Sequence, residues 1–334
     1  MCRGFFLMIT EAAAFEVVQG AAKVLRKKLE AAAQTAALGV RQAMVDDALS
    51  ACLSTLDATG IWGEPNRLLS APLWSTAGDL LETGGLHARA RHKPRGYAGD
   101  HELLRRIALR QVCQHPLGRC FDEYFQSQAA PQAVRNRIEL AAGWIVEAVA
   151  SCAAPVCRVA IVGSGPALEV SLAAGRLTPE LRQRLHVTLL DVDNESLDAA
   201  AIRLDTILSD SPVTTIQGNL FRLAQRPTLA AHLQGANLIL CAGLFDYLSG
   251  PVAAAMLREF WRHLAPGGAA FVFNFADNPT RAYMEWLGNW YLIYRTQADL
   301  AALAAAAGIS SDCSSLGAEP LGIDLYLALR KPAS

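Results

Sequence analysis

The 334-residue chain sets 30 Lys and Arg against 31 Asp and Glu, and is 52% hydrophobic but only 18% charged. A net charge of −1 leaves no electrostatic footprint for nucleic acid, and no run reaches the ~20 apolar residues of a membrane-spanning helix. The eight cysteines form no C-x-x-C pair, so reduced thiols in a cytoplasmic protein are expected, with no metal site and no disulfide framework.

The opening MCRGFFLMIT has a short apolar run that soon meets Glu11. It makes a poor signal peptide, and Met8 is an alternative start. From Glu11 to Leu56 the chain is rich in Ala and Leu and lacks Pro, which predicts helices. Lys23, Arg26, Lys27 and Lys28 read as a solvated helix face, with a membrane-surface or partner contact as the alternative. The N-terminal helices are also the candidate homodimer surface, and peripheral contact with the inner membrane is the alternative to a purely cytoplasmic placement. Gly and Pro recur from Gly60 to Gly99. Helix is expected again over His101–Arg110 and after Pro131. His87, His92 and His101 cluster in sequence only, and no metal role is assigned to them.

At Val156 the texture changes. CRVAIVG, HVTLLDVD, VTTIQGN, ANLILCAG and AAFVFNF are short β-branched or apolar runs separated by helical stretches. That alternation predicts an α/β fold with an open parallel sheet and right-handed crossovers. The last two runs, in SSLGAEPLGIDLYLALRKP, are joined by a short Pro-Gly turn, so the sheet is expected to finish in a hairpin.

VAIVGSGPALEV, from Val159 to Val170, reads as a strand, a glycine turn and a helix start. Gly163 permits the turn, Gly165 lets a ligand approach the backbone, and Pro166 suits a first helical position. The turn is expected to point free N–H groups at a ligand. A dinucleotide fingerprint requires a third glycine where Leu168 stands. S-adenosylmethionine has no phosphate and requires only the first two glycines and a ribose acceptor. Asp191, at the end of the second strand, is placed to take both ribose hydroxyls, and Asp193 reads as a helix cap. Asn219 is expected at the adenine edge, and Cys241 to Gly243 are small enough to leave room for the cofactor. HLAPGG is a turn before the fifth strand.

Taken in order, these features resemble the class I S-adenosylmethionine-dependent methyltransferases over roughly residues 130–330. The resemblance implies a seven-stranded Rossmann-like sheet of order 3-2-1-4-5-7-6, with the seventh strand antiparallel. It divides the chain into an N-terminal helical cap, residues 1–129, and a catalytic domain, residues 130–334. The cofactor set is then Gly163, Ser164, Gly165, Glu169, Asp191, Val192, Asn219, Leu220, Cys241 and Gly243, with S-adenosylhomocysteine as product and no metal. One position departs from the family. The acid expected two residues before the first glycine is Ile161. Glu169, in the first helical turn, either replaces it by reaching the cofactor's ammonium or satisfies the helix dipole.

HKPRGYAGDHELL, CAGLFDYLS and NFADNPTRAYMEWLGNWYLIYR narrow the resemblance to the bacterial methyltransferases that make 3-hydroxy fatty acid methyl esters. This implies carboxyl O-methylation of a long 3-hydroxy acyl chain, giving a diffusible quorum-sensing signal. A fatty acid is ionised at neutral pH, with a pKa near ~4, so no general base is needed. Charge is destroyed as the reaction proceeds, which favours a dry site and neutral donors over an arginine fork.

Five of the eighteen residues from Asn278 to Arg295 are Tyr or Trp. With Asn278 as N-cap and Pro279 as first residue, a continuous helix would set Tyr283, Trp286, Trp290 and Tyr294 on one face. Such rings can line an acyl tunnel and orient a carboxylate, or simply pack the helix on the sheet. Tyr247, after the fourth strand, and Tyr97, between glycines in a lid-like loop, are further donor candidates. Arg281 and Arg295 can reach a carboxylate, although cap or salt-bridge roles suit them better; Arg95 and Asp100 are expected to hold the lid's shape. Three rivals remain: a phenol-type methyltransferase needing a base, a catalytically silent binding module, and a nicotinamide dehydrogenase, which Leu168 and the terminal hairpin disfavour.

Overall fold

A computed structural model describes residues 11–208 and 211–333; the start at Met8 and the signal-peptide question lie outside them. The chain forms two compact units. The first comprises residues up to 131 together with 279–291, and the second comprises 132–278 together with 292 onward.

The first unit is helical: α1 Glu11–Ala33, α2 Leu38–Asp57, α3 Asn66–Leu69, α4 Ala71–Leu81, α5 Gly85–His92, α6 His101–Ala108 and α7 Pro116–Ser127. On α1, Ala14, Val18, Ala21, Ala22, Leu25, Leu29 and Ala32 are all buried, the three-four spacing of a single apolar stripe. That stripe packs on α2 and α4. Two residues of the basic cluster bridge helices: Arg26 pairs with Asp79 at 2.7 Å and Lys28 with Asp47 at 2.7 Å. No described helix is long and apolar enough to cross a membrane.

The KPRGYAGD segment follows α5. Lys93 caps the helix in the left-handed region at φ +48°, and Gly96 and Gly99 follow at +86° and +69°. Asp100 closes the loop. Its carboxylate accepts the Leu103 N–H at 2.9 Å, capping α6, and the Arg89 Nε–H at 2.9 Å. The shape-holding role expected of Asp100 is therefore met.

The continuous aromatic helix is not. Residues 279–280 form a turn, helix begins at Arg281, and Tyr283–Leu287 is a π-type turn. Gly288 ends it, and Asn289 takes the left-handed conformation at φ +46°. Asn tolerates that region, and Gly-Asn is a stop signal that the ring spacing concealed. Only Tyr283 and Trp286 of the expected stripe are helical. Trp290, whose N–H donates to the Met284 carbonyl at 2.9 Å, closes the helix end, and Tyr294 lies in an irregular segment.

The second unit begins with α8 Ala129–Ser151, whose first three residues belong to the first. It carries β1 Cys157–Val162, α9 Leu168–Arg176, α10 Pro179–Gln183, β2 Leu185–Asp191, α11 Asn194–Asp205, β3 Val213–Gln217, α12 Pro227–Ala230, β4 Ala236–Cys241, α13 Gly250–His263, β5 Leu264–Phe275, α14 Gln297–Ala306, β6 Ser314–Ala318 and β7 Asp324–Arg330. The sheet order is β3-β2-β1-β4-β5-β7-β6, as the resemblance implies. β1 to β5 are parallel, and β7 runs antiparallel to both β5 and β6. Successive residues alternate between two cores. Val159 and Ile161 enter one with α8, α9 and α11, whereas Ala160 and Val162 enter the other with α13 and α14. Both faces are covered, as a parallel sheet requires. The carboxyl ends of β1 to β5 are thereby left as the place where loops, rather than core, meet.

Candidate cofactor and active site

The glycine loop leaves β1 with Gly163 at φ +70° and Gly165 at +48°, conformations that side chains with a Cβ resist. Its amides are engaged. Gly163 and Ser164 donate to the Leu190 carbonyl at 2.9 and 3.1 Å, and Gly165 donates to Asp191 Oδ2 at 2.8 Å. The expected free N–H groups are thus absent from these three positions, because the neighbouring strand end has taken them. Nor does Pro166 open the helix: Ala167, left-handed at φ +45°, precedes the first helical residue, Leu168. What the loop does leave open is Ser164. The residue is 4% exposed, and its Oγ is buried with no hydrogen-bond partner among the described residues. A buried hydroxyl without a partner costs about 1–3 kcal/mol, which a polar ligand would recover.

Asp191 is 6% exposed and accepts from two backbone amides, Gly165 and Asp193, the latter at 3.0 Å. Burial raises its carboxyl above the ordinary range, while the amides of Asp193, Gly165 and Val192 oppose that rise. A carboxylate offers about four acceptor positions, so the side chain that fixes the loop keeps capacity for two hydroxyls. Asp193 caps α11 through the Glu195 and Ser196 amides, as expected. Val192 is half exposed. Asn219 accepts the Phe221 N–H at 3.1 Å, which caps a short 3-10 turn, and its amide nitrogen remains available toward a base edge. Leu220 is buried and packs under Gly163. Phe221, which the sequence reading did not select, is half exposed in that same 3-10 turn. Val192 and Phe221 offer apolar surface of the kind an adenine ring covers.

At the ends of β4 and β5 the site is ionic. Arg137 of α8 is 5% exposed and donates to Asp324 at 3.1 Å. Its other terminal nitrogen lies 3.5 Å from where a Cβ on Gly243 would stand, an ordinary contact distance that places the guanidinium against the end of β4. Glu169 is buried, which raises its carboxyl; Arg137 and Arg203 oppose that rise. Arg203 in turn holds the loop through the Pro166 carbonyl and Ser171 Oγ. Cys241 is fully buried, which pushes its thiol up to about 12 and keeps it neutral. Asp246 accepts the Phe275 N–H at 2.8 Å; burial pushes its carboxyl up to about 6 against the pull of Arg137 and Arg295. Arg295 is committed to the protein's own backbone and side chains. It is buried and donates to the Phe245 and Leu248 carbonyls and to Asn274 Oδ1, stapling the segment after β4 to the end of β5. Neither Arg137 nor Asp324 carries a sequence motif, so burial alone singles them out.

The remaining candidates divide between the units. In the second, Tyr247 is half-buried in the 3-10 turn that follows β4, and Tyr294 is half-buried in the segment before α14. In the first, Tyr97 is half-buried in the glycine loop. Arg281 pairs with Glu285 at 2.8 Å and lies over the Trp62 ring, the salt-bridge role that suited it. Tyr283 is 2% exposed and its hydroxyl is 2.9 Å from His87 Nδ1. His87 Nε2 lies 2.8 Å from the Leu81 carbonyl, which can only accept, so the ring proton sits there and Tyr283 donates to Nδ1. Burial lowers the imidazole to about 4, which keeps it neutral. Trp286 is fully buried, and its Nε1 has no partner among the described residues. Trp290 is 7% exposed. No three His, Cys, Asp or Glu side chains gather as a metal site would require among the described residues.

Strand order, terminal hairpin and a glycine loop locked to an acid at the end of β2 define the class I methyltransferase fold. Residues 167–268 match the family model described as a methyltransferase domain. A solved structure described as a possible exported protein from Bordetella parapertussis shares 20% identity over 97% of this chain and 100% of its own, with a TM-score of 0.55. The CurJ carbon methyltransferase shares 12% identity over 96% of this chain and 91% of its own, with a TM-score of 0.51. No curated protein sequence matches significantly. Fold and family match together support S-adenosylmethionine-dependent methyl transfer in general.

The buried Asp246 gives the site a signature in stability. Its folded carboxyl is raised from 3.8 to about 6, so the folded state binds the proton more tightly than the unfolded chain. Stability from this group is therefore fullest below pH ~4 and falls as pH rises through about 6. Asp246→Asn keeps an oxygen for the Phe275 N–H and abolishes the titration. Denaturant unfolding should show the variant gaining on the wild type between pH 4.5 and 7, by about 2 kcal/mol.

Proposed function

We propose that the second unit binds S-adenosylmethionine and that the protein is a carboxyl O-methyltransferase for 3-hydroxy fatty acids, whose methyl esters serve as quorum-sensing signals. The observation that carries the cofactor reading is the Asp191 carboxylate joined to the Gly165 amide beside the unpartnered, buried Ser164 hydroxyl. These residues fit the cofactor. Asp191 would take the ribose hydroxyls, Val192 and Phe221 the adenine faces, and Asn219 the adenine edge. Ser164 and Arg137 would take the α-carboxylate and Glu169 the ammonium. A burial-raised carboxyl beside two arginines is well suited to that exchange, because an incoming ammonium restores its ionised form. When bound, the cofactor supplies a methyl group on a sulfonium.

The substrate reading rests on the resemblance in HKPRGYAGDHELL and NFADNPTRAYMEWLGNWYLIYR. A fatty carboxylate needs no base, so the protein's work is to position one oxygen and exclude water. Trp286, a buried neutral donor lacking a partner, is the strongest positioning candidate. Tyr283 ranks below it, because its proton is already committed to His87. Tyr97, Tyr247, Trp290 and Tyr294 complete the proposed acyl-binding set. A second reading rests on Asp246. A carboxyl near 6 after β4 is the base that a phenol or alcohol substrate would require.

Three measurements test these readings. Purified protein with methyl-labelled S-adenosylmethionine should esterify 3-hydroxy acids in a panel of C8 to C16 chains, read by mass spectrometry. Transfer only to matched phenols or alcohols would transfer the case to Asp246, and no transfer to any acid removes the fatty-acid proposal. In calorimetry, Glu169→Gln should weaken S-adenosylhomocysteine about tenfold yet leave methylthioadenosine, which lacks the amino-acid end, unchanged; equal affinity for both would make Glu169 a helix-start acid only. Trp286→Phe should keep the fold and lower kcat roughly tenfold, and an unaltered rate would reduce Trp286 to packing.

A further inference from the structure

Three cations converge in the first unit with one paired acid among them. Lys93 Nζ donates to the Asn289 carbonyl at 2.8 Å, and Arg67 lies over the Tyr291 ring at 5.7 Å. Arg91 stacks on Trp74 at 4.3 Å, and its only hydrogen bond among the described residues is a long one, 3.4 Å, to Ser70 Oγ. Ser70 continues to Asn289 Oδ1 at 3.3 Å, which also takes the Tyr291 hydroxyl at 3.1 Å. The three basic side chains are thus tied into one short stretch around Asn289, itself held in the left-handed region.

The nearby acids are already paired, one of them with Arg67 itself. Glu64 pairs with Arg67 at 3.2 Å and Glu82 with His92 at 2.7 Å. Glu285 accepts from Gly63 N–H, Asn66 Nδ2 and Arg281 Nε. None of these carboxylates hydrogen-bonds Arg91 or Lys93. Burial lowers Arg91 to about 10, and burial followed by Arg67 and Arg91 lowers Lys93. Both groups therefore sit where the charged form is disfavoured. The C-terminal dipole of α5 favours cations there, but it acts equally on a side chain extended into water. It does not account for a guanidinium laid on an indole with one weak acceptor. That indole's own Nε1 is buried and without a partner among the described residues. An arginine in this position has most of its planar donor fork unused.

We propose that Arg91 and Lys93, with Arg67 at the rim, form an oxyanion-binding site in the helical unit, for a carboxylate or a phosphate group. Arg91 supplies the forked donors, Lys93 the second charge, and Trp74 a flat wall on which the guanidinium is already oriented. The half-buried setting leaves one side open to solvent. The site rests on the first unit alone and holds whether or not the second unit transfers methyl groups.

The test uses the full chain at constant ionic strength in chloride. Thermal unfolding is followed with sodium phosphate, with sodium octanoate and with neutral 1-octanol. Phosphate or octanoate should raise the midpoint saturably, while 1-octanol should not; which anion does so tells a phosphoryl source from a fatty-acid source. Arg91→Gln should abolish the rise, and Lys93→Asn, which suits the left-handed backbone, should weaken the apparent affinity at least fivefold. Without added anion, Arg91→Gln should unfold no earlier than the wild type, because the residue removed is an unmatched cation. A drop in that midpoint would assign Arg91 a packing role and overturn the proposal. So would an anion response equal in wild type and variant, or no response beyond chloride.

Discussion

The hydrogen bond from the Gly165 amide to Asp191 Oδ2 is the contact on which the rest of the site depends. It joins the turn after β1 to the end of β2 and sets the glycine loop against a carboxylate. With the Leu190 carbonyl it occupies the loop's amides, so recognition passes from the backbone to side chains. A phosphate-binding turn must keep its N–H groups open. This turn closes them, and presents a buried hydroxyl and a half-satisfied carboxylate instead. A ligand with hydroxyls and an amino-acid end fits that arrangement better than a dinucleotide does.

Behind the loop, burial sets the electrostatics. Arg137 is almost fully enclosed, bonded to Asp324, close to Gly243 and felt by Glu169 and Asp246. Buried charges persist only when they are paired, and here one guanidinium serves several carboxyls whose protonation is shifted upward. Arg295 shows the contrasting use of the same residue type. Three of its hydrogen bonds go to two backbone carbonyls and Asn274, which fixes where the strand ends meet.

The stretch NPTRAYMEWLGNWYLIYR changes meaning once folded. Its aromatic spacing is that of a helix, but Gly288 and Asn289 break it after Leu287. The break lets Asn289 gather Lys93, Ser70 and Tyr291. Residues 279–291 belong to the helical unit and the rest of the stretch to the sheet unit. One run of rings thus serves two cores, and Tyr283 answers to His87 rather than to its neighbours in sequence.

The sequence by itself determined the elements of the sheet. Alternating strand and helix periods, the Gly163–Gly165 turn, Asp191 at a strand end and the closing hairpin mark the strands and the final antiparallel pair, because each is a local backbone preference or a period-two burial pattern; the strand order was implied only by the resemblance to the class I methyltransferases. Asp193 as a cap and Asp100 as a loop closer were legible for the same reason. Only the tertiary structure decided which loop amides are spent, that Arg137 and Asp324 meet 187 residues apart, and that Arg91 lies on Trp74. Those facts depend on what surrounds a side chain after collapse. Burial and charge pairing are properties of a place in the fold, and residues distant in the chain supply them.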